Sequence, residues 1–235
     1  MHLFAAVTRC GLAVLALAGA CLAQDSAAIL KAISENYRTL KSYQFEGTLA
    51  AETGTERTKT SSVETFAYAF ADPDRFMVDV HYDNKAGSWK RASNGKTLTE
   101  IRTITKEFNQ RAATSDDMRI LGLTTVGSFE EMENGITTSK VTGSEKLTVS
   151  GQEIDCWVIE TDRQVGILPE GVKATPTIFW VDKARNIVLK IVAGTESNFK
   201  GKATKNIRTT VFTSARINQP VPNDVFEPTA PTKWK

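Results

Sequence analysis

The strongest strand pattern of the chain lies at residues 177–181 and 187–192, which are rich in β-branched and aromatic side chains. A polar turn at 182–186 joins the two stretches. Trp180 and Phe179 alternate, so they belong to opposite faces of the first stretch, and both faces are apolar. This pattern predicts a hairpin at the centre of a sheet, with cover on each side.

Near the N-terminus the apolar period changes to that of a helix. Asp25 or Ser26 can cap it, and the stripe consists of Ile29, Ile33, Tyr37 and Leu40. The sequence therefore predicts a long amphipathic N-terminal helix that ends near Leu40 and covers one face of the sheet.

Six strands without a helix between them follow this helix. They are predicted at 43–50, 64–70, 76–82, 88–93 and 97–103, with a weaker strand that ends at Phe108. Residues 51–61 are polar and predict a hairpin connection, and Asn94-Gly95 is a strong hairpin signal. This order predicts an antiparallel meander.

The middle of the chain has a different pattern. Ser115, followed by two aspartates, predicts a short helix, and the Ser128–Glu131 spacing with Gly135 predicts a second one. Strands resume at about 140–149, 154–161 and 207–217, around the hairpin described first. The predicted fold is mainly β (α+β): a curved antiparallel half-barrel of about ten strands, with the long N-terminal helix and short lid helices on its concave side.

Aromatic strand faces under helical covers predict an apolar cavity. Alternation places Phe66 with Tyr68, and Phe76 with Val78, on shared faces. The candidate lining residues are Phe45, Phe66, Tyr68, Phe76, Val78, Trp89, Leu98 and Phe179. The pattern leaves open which face points inward, and the alternative is that these side chains fill a core.

Length and charge narrow the class of protein. The chain has 235 residues, of which 41% are hydrophobic, enough for one buried domain. Its 29 basic and 27 acidic residues give a net charge of +2 without a block of one sign. Nothing in this balance favours nucleic acid as a partner.

The first 23 residues have the pattern of a signal peptide: Arg9, then an apolar run, then Cys21-Leu22-Ala23 as a cleavage site. Residues 24–235 are then a single exported domain, with no later segment able to span a membrane. Lipidation at Cys21 is the alternative, and it would anchor the protein in the outer membrane.

Residues that could carry catalysis are sparse. Cys156 is the only mature thiol, which excludes an internal disulfide and predicts a buried, inert side chain. His81 is the only mature histidine, so a histidine metal site or a catalytic triad is not expected. Gly95-Lys96-Thr97 lacks the upstream glycine of a phosphate loop. We therefore expect a monomeric protein that is not an enzyme and has no metal or cofactor.

Short motifs along the mature chain resemble the LolA-type periplasmic lipoprotein carriers. They are residues 93–98 with 108–111, the strand starting at 42–45, the turn and strand at 73–76, the strand end at 179–182, and Phe226 before a proline-rich tail. The resemblance implies a half-barrel closed by helices, with a cavity for acyl chains. It also implies a basic residue just before the turn proline that bonds to the lid, but Asp72 stands here and Arg75 is displaced. The resemblance thus supports the fold more than it supports lipoprotein trafficking.

The expected function is that of a non-catalytic exported protein that holds lipid acyl chains or a lipidated protein in an apolar half-barrel. The alternative is an envelope sensor or scaffold of the same fold that binds a protein partner.

Overall fold

The computed structural model describes residues 25–55, 58–83, 87–114, 117, 129–163, 168–199 and 201–234. This part of the chain contains a helix, α1 (Ser26–Thr39), and a sheet of twelve strands. The strands are β1 (Ser42–Gly54), β2 (Lys59–Ala71), β3 (Arg75–His81), β4 (Ser88–Asn94), β5 (Thr97–Arg102), β6 (Glu107–Ala112), β7 (Ile136–Val149), β8 (Gln152–Arg163), β9 (Val172–Ala174), β10 (Thr177–Asp182), β11 (Val188–Phe199) and β12 (Lys202–Ile217).

All pairings in the sheet are antiparallel, and the sheet is open and curved. The strand order is β6-β5-β4-β3-β2-β1-β12-β11-β10-β8-β7, with β9 paired to β11. The first six strands are a meander, which confirms that prediction. Because β12 returns to pair with β1, the first and last strands of the chain meet in the middle of the sheet.

Helix α1 begins where the sequence predicts it. Asp25 caps it, and the carboxylate accepts a hydrogen bond from the Ala27 N–H at 3.0 Å. The Asn36 side chain donates to the carbonyl oxygen of Arg185 at 2.9 Å, in the turn between β10 and β11. The Tyr37 ring lies 6.2 Å from the ring of Tyr43. The helix therefore packs on the sheet face that carries Tyr43 and Phe45, which we call the inner face.

The sheet has twelve strands rather than the predicted ten or so, and several strand boundaries differ from the predicted ones. Residues 51–61 are largely paired rather than a loop, because β1 and β2 continue to Gly54 and Lys59. Backbone pairing does not need apolar alternation where both faces meet water. Phe108 lies near the start of β6 rather than at the end of a strand, and the short strand β9 lies where no strand is predicted. The hairpin of β10 and β11 lies toward one side of the sheet, whose middle is β1.

The predicted lid helices are not confirmed. The one expected from Ser115 falls mostly outside the described residues, as does Ser128. In the place of the second there is one 3-10 turn, Phe129–Glu131. The Phe129 ring lies 4.8 Å from the ring of Tyr37 on α1, so this turn packs beside α1 over the inner face.

The C-terminal tail covers part of the opposite, outer face. A 3-10 helix, Asn223–Phe226, buries Phe226 among alanines of β2 and β4 and Met77 of β3. The Arg75 guanidinium lies over the Phe226 ring at 5.2 Å, and Arg75 also donates to Asn223 at 2.8 Å. Both faces of this part of the sheet are therefore protected from water.

The signal peptide predicted at residues 1–23 lies outside the described residues and stays a prediction. No described helix is both long enough and apolar enough to cross a membrane.

Candidate functional site

Most of the predicted lining residues lie together on the inner face. The register places Phe45 opposite Tyr68, and Tyr68 opposite Val78. Phe66 and Phe76 belong to the same face by alternation. The residues of the set that are buried in one cluster are Phe45, Phe66, Tyr68, Phe76, Val78, Leu98 and Phe179, each at most 8% exposed.

These buried side chains contact protein. The ring of Phe212 lies 5.2 Å from the ring of Phe45 and 5.5 Å from that of Phe66, in an edge-on contact with the latter. Aromatic pairs at such separations are favourable. A ligand could reach these residues only if this packing opens, so their role as cavity lining stays a prediction.

Two tyrosine hydroxyl groups lie next to each other on the inner face. The Tyr43 and Tyr68 hydroxyls are 3.5 Å apart, and the rings are stacked with centroids 5.5 Å apart. Burial raises the pKa of both phenols above the ordinary tyrosine value. Both groups are therefore uncharged at neutral pH, which suits an apolar contact surface and not acid–base chemistry.

Trp89, the eighth predicted residue, is only half-buried and lines a groove. The groove has a volume of about 370 Å³, and its walls are Tyr82, Ser88, Trp89, Arg102, Ile104 and Thr105. Trp89 stands between Val80 and Arg102 in the sheet register, which places it on the inner face. Ile104 is 61% exposed and Tyr82 is 36% exposed. We call this feature the Trp89 groove.

Hydrogen bonds fix the polar side of the groove. The Trp89 indole N–H donates to a carboxylate oxygen of Glu100 at 3.0 Å, and Arg102 donates to the same oxygen at 2.6 Å. Burial alone would raise the pKa of Glu100. The hydrogen bonds from Trp89 and Arg102 outweigh this effect, and the net result is a pKa below the usual glutamate value. The indole is thereby satisfied, and its ring is left as an apolar wall.

A buried ion cluster adjoins the groove. Arg91, two residues along β4 from Trp89, donates to Asp117 at 2.6 Å, and Arg111 donates to both oxygens of the same carboxylate. Asp117 also accepts from the Thr114 N–H at 2.8 Å. The Arg111 hydrogen bond, with those from Thr114, holds the pKa of Asp117 well below its usual range.

The sequence pattern does not predict this ion cluster. It places Asp117 only in the first turn of a short helix. The available signal is Arg91, a charge at an inner-face position of a strand, because a buried charge requires a partner. The sequence does not show which carboxylate supplies that partner.

A second cavity, of about 400 Å³, lies at the far end of β1, β2 and β12. Its lining includes the charged side chains Glu52, Lys59 and Lys205, with Ile207 as the largest apolar member. We call it the arm-tip cavity. None of its described lining residues packs on the buried cluster of the inner face, whereas Trp89 of the Trp89 groove does.

The described residues offer little for covalent or metal chemistry. No group of three or more His, Cys, Asp or Glu among them could hold a metal ion. Cys156 is fully buried, and burial raises the pKa of its thiol to about 11. His81 is mostly exposed and lies 3.2 Å from Asp79. A reactive thiolate is therefore not available at neutral pH.

No protein-family model matches this sequence, and neither does any curated protein. The chain is similar to solved structures at low identity. A structure of MucB gives a TM-score of 0.49 at 13% identity and covers 88% of this chain and 63% of its own. An uncharacterized conserved protein from Thermus thermophilus gives 0.45 at 10% identity, covering 90% and 98%. A LolA superfamily protein from Nitrosomonas europaea gives 0.34 at 11% identity, covering 85% and 96%.

This chain thus spans less than two thirds of the matched MucB chain. A LolA superfamily protein is among the structures to which it is similar, which is the resemblance that the sequence motifs predict. The likeness concerns the fold alone.

Proposed function

We propose that this protein is a non-catalytic exported binding protein that holds an acyl chain, of a lipid or of a lipidated protein, on its inner face. The acyl chain enters at the Trp89 groove. The observation that carries this proposal is an open groove with exposed apolar side chains, Tyr82 and Ile104 beside Trp89, that adjoins the buried inner face. The proposal places the mature protein in the periplasm, with the signal peptide removed.

The groove has the properties that an acyl chain requires. Ile104 and Tyr82 are two of the three large hydrophobic side chains that are most exposed among the described residues, the third being Val63. Covering such surface is favourable by roughly 25 cal/mol per Å², or about 0.8 kcal/mol per CH₂ of the ligand. The volume of about 370 Å³ is within the usual range of ligand pockets.

The buried row beyond the groove extends the proposed site. Val80 stands opposite Trp89 and is preceded on the same strand face by Val78. Both belong to the packed cluster that also contains Phe66 and Phe76. A chain longer than the groove would have to displace part of this packing, and these residues would then line the cavity that the sequence predicts.

A matched pair of surface variants tests the proposal. Ile104→Ser removes an apolar side chain from the wall of the groove. Val63→Ser is the control, because Val63 is an apolar residue of β2 that is 45% exposed and lies outside the groove. Both should leave stability within about 0.5 kcal/mol of the parent.

We expect Ile104→Ser to weaken binding of a fluorescent acyl probe about tenfold, since burial of one aliphatic side chain contributes about 1.5–3 kcal/mol. Val63→Ser should bind like the parent. A parent protein that binds no probe, or equal binding by both variants, would contradict the proposal.

A protein partner is the second candidate, and the sheet edge favours it. Strand β7, 14 residues long, ends the strand order and offers one side without a neighbouring strand among the described residues. Such an edge can pair with an extended segment of another protein. Native mass spectrometry of protein purified from its own envelope separates the two: a lipid-sized added mass supports the first function, and the mass of a protein subunit supports the second.

A further inference from the structure

Arg91 combines deep burial with an unused hydrogen-bond donor. It lies at an inner-face position of β4, between Val78 of β3 and Glu100 of β5, and is 9% exposed. One end of its guanidinium binds Asp117 at 2.6 Å. The Arg91 Nε atom is buried and has no acceptor among the described residues. Buried donors are normally paired, so this nitrogen requires an explanation.

The position of Arg91 relates this donor to the Trp89 groove. Trp89 lies two residues away on the same strand face, a separation of about 7 Å. Glu100, opposite Arg91, accepts hydrogen bonds from both Trp89 and Arg102 of the groove. Arg91 therefore lies next to the polar wall of the groove, on the side of the buried residues Val78 and Val80.

The charges around Arg91 are balanced. In the described part of this cluster, three guanidinium groups face three carboxylates, which are Arg91, Arg102 and Arg111 with Glu100, Glu107 and Asp117. A ligand group that binds here needs no negative charge to neutralise an excess. It needs an oxygen that can accept a hydrogen bond.

We propose that Arg91 is a specificity-determining residue, and that its Nε–H donates to the carbonyl oxygen of an acyl ester or acyl amide. This inference rests on the proposed acyl-binding function and deepens it. It distinguishes acylated molecules from hydrocarbons of the same length, which fill the groove but offer no acceptor.

The test compares methyl laurate with tetradecane in displacing a fluorescent acyl probe, with each affinity divided by the ligand's partition coefficient from water into hexadecane. The two have the same number of atoms along the chain, and only the ester has a hydrogen-bond acceptor. The parent protein should prefer the ester about tenfold on this scale, since a hydrogen bond to a charged group contributes at least that factor. Free laurate serves as a third ligand, because it tests whether a negative charge is required.

Three variants assign the preference to the Nε atom. Arg91→Lys keeps the positive charge toward Asp117 but has no donor at the Nε position, and should lower the preference to about one. Arg91→Gln places an amide nitrogen near that position and should keep a preference of about fivefold. Arg111→Lys disturbs the same carboxylate from the solvent side and should keep the full preference.

Each outcome is informative. Equal corrected affinities of ester and alkane in the parent overturn the inference, and so does an ester preference that survives in Arg91→Lys. Laurate bound at least tenfold more tightly than its ester overturns the neutral-acceptor assignment. If the probe does not bind the parent protein, the proposed function fails along with the inference. If the probe binds but none of the three ligands displaces it, the inference fails alone. The parent comparison stands even where a variant does not fold.

Discussion

Replacing the Asp117 carboxylate should lower the free energy of unfolding by an amount that the structure allows us to work out. The change Asp117→Asn keeps the size of the side chain but removes the charge that Arg91 and Arg111 share. Five donated hydrogen bonds reach this carboxylate, two of them from Thr114. An asparagine amide nitrogen cannot accept any of them.

The expected cost follows from what is left behind. The Asp117 side chain is 2% exposed and the Arg91 side chain 11%, so Asp117→Asn leaves a buried guanidinium without its counter-charge. Breaking a buried ion pair in this way costs about 3–5 kcal/mol. Arg111 is 51% exposed, so water can solvate it and it adds little to this cost. A domain with a typical stability of about 5–15 kcal/mol should still fold.

The effect should depend on pH with a defined sign. The folded-state pKa of Asp117 is depressed, chiefly by the hydrogen bond from Arg111. Its contribution is therefore fully present above the unfolded aspartate pKa of about 3.9 and is lost as the pH falls toward the folded value. Parent and Asp117→Asn should consequently become more similar in stability as the pH falls below about 4.

Urea unfolding followed by tryptophan fluorescence, at pH 7 and at steps down to about pH 3, measures both quantities. Asp72→Asn is the control, because Asp72 forms an exposed ion pair with Lys41 at 3.3 Å. Such a pair contributes about 0–1 kcal/mol. A loss below about 1 kcal/mol for Asp117→Asn at pH 7, or a loss that does not change with pH, would refute this account of the cluster.

Three further predictions concern the fold and the N-terminus. Gly47→Ala should cost about 1–3 kcal/mol, because the new Cβ would lie 2.2 Å from a backbone oxygen of β12, whereas Gly143→Ala, with nothing within 4 Å, should be nearly neutral in the same urea titration. Cys156→Ala should cost about 1–2 kcal/mol through lost packing, and reductant should leave the melting temperature of the parent unchanged; unfolding by reductant would contradict the buried free thiol. Intact-mass analysis of exported protein should give an N-terminus at Gln24, and a diacylglyceryl-modified Cys21 would show that the signal-peptide assignment is wrong.

The local elements could be predicted because each depends on short-range patterns. Asp25 followed by apolar residues at helical spacing was enough to place α1, and Asn94-Gly95 was enough to place the β4–β5 turn. The lengths of β1 and β2 could not be predicted, because Thr53 and Thr60 are exposed polar residues that pair through hydrogen bonds and not through apolar contacts. Apolar alternation carries no information where neither face is buried.

Long-range partners could not be predicted. The pairing of β1 with β12 joins residues more than 150 positions apart, and no local signal specifies it. Asp117 is bound by arginines from β4 and β6, and its sequence neighbours do not reveal this. The apolar faces of Phe45 and Phe66 were predicted, but a single sequence could not decide between a cavity and the packing with Phe212 that the structure contains.

The most direct test of acyl binding at the Trp89 groove uses a fatty acid with a nitroxide at its chain end and measures the line broadening of backbone amide NMR signals. The account predicts saturable broadening at Trp89 and Ile104, which natural fatty acid reverses. Signals at Thr53 and Ile207, beside the arm-tip cavity, should remain sharp. Broadening that is confined to the arm-tip cavity, or that competitor does not reverse, would contradict the account.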